Sequence, residues 1–336
     1  NLFPLKCEFK DEIKDPKNIA NILKKFIIEK ATKNNLLKIE EEGIKSIIRY
    51  LVRETSSREK INIDQYRIDN ILVKADTVAR EQKKDVISKE DIENIIYEKD
   101  SILEGYTDMY KENKIFIKTE GKLVGNINGL AVIDTGIFSF GKPLRITCLA
   151  LKGSGNVIDI HKESKLSGKI HEKSIQTLTG LLYNIVSPYK KLPVDLHLSF
   201  EQSYGVIEGD SASVAEMIAM LSAISKKGIK QNIAVTGSLN QFGEVQAIGG
   251  VNEKIEGFFN ICKETSTYKG KGVLIPSSNK DELVLSPEVE KAVKAGDFHI
   301  YEMEVLNDAI ETLILEDNET LEDFNKAINE EIEKYK

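Results

Sequence analysis

Glu201-Gln-Ser-Tyr-Gly-Val-Ile-Glu-Gly-Asp-Ser211-Ala-Ser-Val-Ala-Glu-Met-Ile-Ala-Met220 is the stretch that decides the reading of this chain. The run before it, Val194–Phe200, reads as a strand, and its end is followed by a glycine-bearing loop. Small residues then lead into a predicted amphipathic helix over about 211–227. Ser211 therefore stands at or next to a helix N-terminus, where free N–H groups and the positive end of the dipole can stabilise an oxyanion. On these residues alone two readings are open: a nucleophile at that place, or Asp210 or Ser211 acting only as the helix cap.

Thr236-Gly-Ser-Leu-Asn-Gln-Phe-Gly-Glu-Val-Gln-Ala-Ile-Gly-Gly250-Val-Asn-Glu-Lys254-Ile-Glu-Gly257 reads as strand, turn, short strand, double glycine, helix. Lys254 falls one turn into that helix, beside Val251, Ile255 and Phe258. A lysine there either snorkels to solvent or is desolvated and serves as a general base.

Outward from these segments the chain divides by glycine. Residues 1–112 contain only Gly43 and Gly105, whereas the other twenty glycines lie beyond. The first part reads as helices: stripes at Ile19, Ile22, Leu23, Phe26 and Ile27, at Ile44, Ile47, Ile48, Leu51 and Val52, and at Ile68, Ile71, Leu72, Ala75 and Ala79. Asp15-Pro16 opens the first, and Ser88 with Asp91 opens a fourth in capping-box spacing, carrying Ile92, Ile95 and Ile96 toward or past Leu103. From Ile115 onward, strands at 130–134, 144–151, 157–160, 194–200, 233–238 and 273–275 alternate with helices at 171–186, 211–227, 251–263 and 287–295. The expected architecture is a mixed α/β (α+β) domain preceded by a small all-α bundle, with domains at 1–112 and 113–315. The tail, 316–336, has eight acids and three lysines, with Phe324, Ile328 and Ile332 every four residues, and predicts an exposed or partner-bound helix.

Composition narrows the function. The formal charge of −7, from 47 basic and 54 acidic residues, argues against a dedicated nucleic-acid binder. Cys7, Cys148 and Cys262 are far apart and match neither a zinc spacing nor a disulfide framework, which points to a reducing compartment. The longest uncharged run, Ser174–Tyr189, contains Gln176, Asn184 and Pro188 and does not read as a membrane span. The chain begins at Asn1 in mid-pattern and reads as a fragment of something longer. Gly136-Ile-Phe-Ser-Phe-Gly141-Lys142 matches a phosphate loop up to its last position. Pro143 follows, with neither hydroxyl nor N–H, and then a strand where the motif needs a helix, so it reads as a hairpin turn with an exposed lysine. His161, His171, His197 and His299 show no metal-ligand spacing. His197 sits in the strand before the glycine-bearing loop, as a sheet residue or near a site there.

Taken together, Glu208-Gly209-Asp210-Ser211-Ala212-Ser213 and Gly249-Gly250…Lys254, at a 43-residue interval from Ser211 to Lys254, resemble the proteolytic domain of the Lon family of ATP-dependent proteases. The Thr236-Gly237 strand end agrees. Asp210 stands where the bacterial housekeeping form has proline, and Ser213 where it has glycine, as in the archaeal-type and Lon-related branch. The resemblance covers about 113–315, and residues 1–100 look like the small helical subdomain of the AAA+ module, with Arg67 as a candidate sensor arginine. It implies a Ser–Lys dyad of Ser211 and Lys254, supported by Thr236 and by N–H groups near Gly209–Ser211; because an acid too close would raise the amine pKa again, Glu208 and Asp210 are expected to point away or to reach it only in a resting state. It also implies a homo-oligomer, typically a hexameric ring, polypeptide substrates and a cytoplasmic setting. ATP and Mg are expected for the full-length protein and no cofactor for the proteolytic domain itself. The alternative is a catalytically silent Lon-like regulatory or assembly module.

Overall fold

The computed structural model describes residues 10–97, 101–135 and 139–336. It divides into two compact units, one of residues 1–101 with 281–286, the other of 102–280 with 287–336.

In the first unit, α1 (Pro16–Lys33), α2 (Glu41–Arg53), α3 (Gln65–Glu81) and α4 (Lys89–Ile96) form the bundle. Two short ribbons tie their connections: β1 (Glu12–Lys14) antiparallel to β3 (Lys60–Asn62), and β2 (Lys38–Ile39) parallel to β4 (Val86–Ile87). The Asp15 carboxylate caps α1 by accepting from Asn18 N–H, with Pro16 at the first helical position, and Ser88 and Asp91 form a reciprocal capping box on α4. The stripe of α3 is buried as its period requires: Ile68, Ile71, Leu72, Ala75 and Ala79. On α1 the buried line is narrower, Leu23, Ile27 and Ala31, and Ile22 is exposed. The segment Asp281–Ser286 belongs to this unit: Arg49 donates to the Leu285 carbonyl at 2.7 Å and Arg58 to that of Leu283 at 2.8 Å. A break in chain continuity of this kind leaves no mark in local periodicity.

The second unit comprises α5 (Ser101–Lys111), β5 (Lys122–Val124), β6 (Asn126–Asp134), β7 (Ser139–Lys152), β8 (Val157–Asp159), α6 (Ile160–Glu163), α7 (Lys169–Val186), β9 (Val194–Phe200), α8 (Ser213–Ser225), β10 (Gly228–Lys230), β11 (Ile233–Val235), β12 (Ser238–Leu239), β13 (Val245–Gln246), α9 (Val251–Thr265), β14 (Lys271–Pro276), α10 (Pro287–Lys294), β15 (Phe298–Met303), α11 (Leu306–Leu313) and α12 (Leu321–Glu333). Among the described residues seven strands make one mixed sheet in the order β15-β14-β11-β6-β7-β9-β8. It is parallel from β15 to β6, antiparallel at β6–β7 and β7–β9, and parallel again at β9–β8. Gly141 of β7 faces α9, whereas Ile146 and Cys148 join the core that contains α8, so the two helices cover opposite faces.

Four sequence expectations change here. First, α8 is not amphipathic: every residue from Ser213 to Ser225 is buried, because the sheet, α7, α11 and α12 surround it. Second, the acidic tail is not a solvated or waiting helix. Phe324, Ile328 and Ile332 of α12 are buried in the same core as α8, and the acids occupy its outer face. Third, β6 and β7 pair as a hairpin through Asp134 and Ser139, but Lys142 is half-buried with its ammonium 4.8 Å from the Tyr106 ring centre. Fourth, α4 does not run on toward Leu103: it ends at Ile96 with Tyr97 as its C-cap. Gly136, Ile137 and Phe138 of the phosphate-loop-like motif, and residues 98–100, lie outside the described residues.

Candidate active site

The loop after β9 is shaped by Gly209, at φ +91, a conformation that side chains rarely adopt. It brings Asp210 and Ser211 to the end of β11. Ser211 lies immediately before Ala212, the N-cap residue of α8, and neither it nor Asp210 caps the helix by the ordinary side-chain bond. Instead the Asp210 carbonyl accepts from Ser213 N–H at 3.0 Å and also from the Ser213 hydroxyl. The Asp210 carboxylate accepts from Ser238 Oγ at 2.8 Å.

Ser211 is tied to β11 through its carbonyl, which accepts from Gly237 N–H at 2.9 Å and from Thr236 Oγ1 at 3.1 Å. Val214 N–H returns a bond to the Gly237 carbonyl at 3.1 Å. The approach needs a glycine, since a Cβ on Gly237 would meet Met303 Cε at 2.7 Å and Val214 Cγ2 at 2.8 Å.

Lys254 comes from the first turn of α9, which starts after Gly250 in the left-handed region at φ +68. Its Nζ donates to Thr236 Oγ1 at 3.1 Å. Thr236 has one proton, and it points to the Ser211 carbonyl, so the oxygen receives the lysine N–H on a lone pair. Lys254 is 3% exposed and Thr236 is 0% exposed. Burial pushes the Lys254 ammonium down to about 8, against the opposing pull of the Asp210 and Glu253 carboxylates. The lysine is desolvated, and the snorkelling alternative is excluded.

The structure thus brings Ser211, Thr236, Lys254 and Asp210 together, with one hydroxyl bridging the amine and the serine backbone. The Ser211 hydroxyl and the Lys254 amine share no direct hydrogen bond among the described residues. Glu208 is turned away: its carboxylate accepts from Ile170 N–H, in the first turn of α7, at 3.2 Å. His197 occupies the sheet between Leu149 and Ile158. Arg67, in the first unit, is held by Glu54, by Asp64 at 3.6 Å and by the Tyr50 hydroxyl at 3.4 Å. Among the described residues no group of three or more His, Cys, Asp or Glu side chains could hold a metal ion.

Sequence reasoning missed a second polar cluster behind the loop. His171 Nε2 lies 2.7 Å from Glu216 Oε1, and its Nδ1 lies 2.8 Å from Ser167 Oγ and 3.5 Å from Asp159 Oδ2. Burial alone would lower the imidazole pKa, but Glu216, Asp159 and Glu208 together raise it. One signal was available: Glu216 interrupts an apolar run, and a carboxylate in a fully buried helix must find a partner.

A family profile described as the Lon protease (S16) C-terminal proteolytic domain matches residues 102–316. The chain belongs to the Lon protease family. Residues 38–101 match a second Lon profile, described as the archaeal LonB AAA+ ATPase LID domain, which fits the helical first unit. The chain is 37% identical over 316 residues to a protein of Haemophilus influenzae named as a Lon protease homolog, covering 92% of this chain and 51% of the relative. A protein of Escherichia coli with the same name is 40% identical over 215 residues, covering 63% of this chain and 37% of its own length. An archaeal Lon protease of Thermococcus kodakarensis is 30% identical over 304 residues, 88% of this chain and 44% of the relative. The chain therefore spans about half the length, or less, of these Lon relatives. No helix among the described residues is long and apolar enough to cross a membrane.

Proposed function

We propose that this chain is a serine endopeptidase in which Ser211 is the nucleophile and Lys254 the general base. The observation that carries the reading is the buried Lys254 amine, brought down to about 8 and joined to Ser211 through Thr236. A serine hydroxyl needs a base at hydrogen-bond distance, and a lysine can serve only when neutral. A neutral amine has two N–H groups and one lone pair. With one N–H on Thr236, the lone pair is left for the Ser211 hydroxyl proton. Apo sites often hold such bonds open until substrate arrives, so the missing direct contact is compatible with the reading.

In the acylation step the Ser211 proton passes to Lys254 Nζ as Oγ attacks the peptide carbonyl carbon. The oxyanion is met by N–H groups of the 209–211 loop. Neither Asp210 N–H nor Ser211 N–H donates to an acceptor among the described residues, which supports this role. Lys254 then returns the proton to the leaving amine, the C–N bond breaks, and the acyl-enzyme forms. A water deprotonated by the same lysine hydrolyses it.

The whole-protein properties belong to the same proposal: unfolded or damaged polypeptides as substrates, ATP-driven delivery, assembly as a homo-oligomeric ring and a cytoplasmic setting. The described residues of the 136–142 segment, and Arg67, do not fit a phosphate cradle. A Cβ on Gly141 would lie 2.0 Å from the Glu253 carbonyl oxygen, Lys142 is over Tyr106, and Arg67 is engaged by carboxylates. ATP and Mg are therefore assigned to the longer protein and not to a step in this site.

The test is cleavage of fluorogenic peptides by the chain, with acyl-enzyme capture by mass spectrometry. Ser211→Ala should abolish both, and Lys254→Arg should be equally inactive because arginine stays charged at any working pH. Substantial activity in Lys254→Arg would remove Lys254 as the base. A wild-type chain that neither cleaves nor acylates would favour the silent assembly module.

A further inference from the structure

Besides β11 and Ser238 of β12, the Ser211 loop is tied to the N-terminal part of α7 and the residues just before it. Ile207 N–H donates to the Leu166 carbonyl and Gly168 N–H to the Ile207 carbonyl, each at 2.8 Å. The Glu208 carboxylate accepts from Ile170 N–H at 3.2 Å, and it occupies the space that a side chain at Gly168 would need. Ser174 Oγ lies 2.8 Å from Ser213 Oγ, whose own proton goes to the Asp210 carbonyl. One turn further along α8, Glu216 meets His171 of α7 at 2.7 Å.

The last contact is unlike the others. Glu216 and His171 are both 0% exposed, and Asp159 beside them is 2% exposed. Glu216 Oε2 and Asp159 Oδ2 accept no hydrogen bond; Asp159 Oδ1 accepts from His161 N–H at 3.0 Å, whereas the Glu216 carboxylate has the imidazole as its one side-chain partner among the described residues. A buried polar pair of this kind adds little net stability compared with apolar side chains of the same volume. What it does impose is a single register of α7 against α8, because any slide strands the desolvated Glu216 carboxylate. The Phe200 ring, edge-on to His171 with centroids 5.4 Å apart, closes the space around it.

We propose that the buried His171–Glu216 pair is a positioning device that holds the Ser211 loop in register against α7. Both act through the loop and touch no substrate. The catalytic part of this inference rests on the peptidase reading, whereas the structural part does not. The test uses the whole chain with a paired His171→Leu, Glu216→Leu substitution, which removes both polar groups and fills the space with apolar atoms. Folding is checked by thermal unfolding, and amide hydrogen exchange is compared between residues 207–213 and β14. The paired variant should exchange at least about tenfold faster at 207–213 with β14 unchanged. Its kcat for peptide cleavage should fall by about 10²-fold with KM within about twofold, the size expected for a misplaced reacting group. Glu216→Gln, which keeps an acceptor for His171 Nε2–H, should retain at least about a third of the wild-type rate. Should the paired variant not fold, Ser174→Ala severs the neighbouring tether at the cost of one hydroxyl and should speed exchange at 207–213 by about threefold or more. Wild-type exchange and kcat in the paired variant would overturn the proposal, as would faster exchange spread evenly over the domain. If the wild-type chain cleaves no peptide, the exchange measurement still judges the pair, and only the peptidase reading falls.

Discussion

The Lys254 ammonium donates to the Thr236 hydroxyl across 3.1 Å, with both side chains almost wholly buried. They come from different elements, Thr236 from the end of β11 and Lys254 from the first turn of α9. A threonine can receive a lysine N–H without stabilising the charged form as a carboxylate would, so it orients the amine and leaves the pKa low.

Lys254 should set the pH dependence of both activity and stability. Peptide cleavage should rise as pH increases through about 8, where the amine becomes neutral. In the unfolded chain the same lysine titrates near 10.5. Between those values the unfolded state binds the extra proton, so stability should rise with pH across that window. Below about 8 the folded protein carries the full penalty, roughly 3 kcal/mol at 1.36 kcal/mol per unit. Lys254→Met removes the penalty and loses one hydrogen bond of about 1 kcal/mol. It should be inactive yet about 2 kcal/mol more stable at pH 7, a gain that fades toward pH 10.5 in thermal unfolding. A destabilised Met variant at pH 7 would show that the amine is not held at a cost.

Thr236→Val keeps the volume and removes the bridging hydroxyl. The Ser211 carbonyl retains Gly237 N–H, so the loop should stay in place, while the Lys254 amine loses its oriented partner. We expect kcat to fall by about 10²-fold, comparable to deleting one preorganised donor in an active site. The pH at half-maximal rate should move lower, because an acceptor for the ammonium is gone. Thr236→Ser should restore most of the rate.

Gly257→Ala separates two opposed effects. In a helix interior, alanine is favoured over glycine by about 1 kcal/mol. Here the new Cβ would lie 2.1 Å from the Gly141 carbonyl oxygen, a backbone atom that cannot swing aside. Overpacking of this kind costs about 1–3 kcal/mol or more, so the variant should be less stable. Displacing α9 from β7 also moves Lys254, and cleavage should drop with it. Denaturant unfolding that finds the alanine variant more stable would contradict this packing.

Phe324 tests whether α12 belongs to the domain. It is 1% exposed, within the core that holds α8. Phe324→Ala should cost about 3–5 kcal/mol in denaturant unfolding. Limited proteolysis of the wild-type chain should spare 321–333, and the variant should be cut there early.

The nucleophile and base candidates, most strands and the helical character of the first part could be found in the amino-acid order because each rests on local signals. These are a strand-to-glycine-to-helix change of period, a double glycine before a helix, and apolar residues three and four apart. Burial of α8 on all sides and of the α12 stripe could not, since periodicity reports which face of a helix is apolar and not what covers it. The return of 281–286 to the first unit likewise depends on contacts between residues more than two hundred positions apart. Amino-acid order alone establishes a serine at a helix start and a lysine in an apolar helix turn on this chain. That the lysine is dry, that Thr236 bridges it to Ser211, and that His171 meets Glu216 behind the loop follow from the packing of distant elements. Desolvation and hydrogen bonding between distant elements depend on distances in space, and no local spacing encodes them.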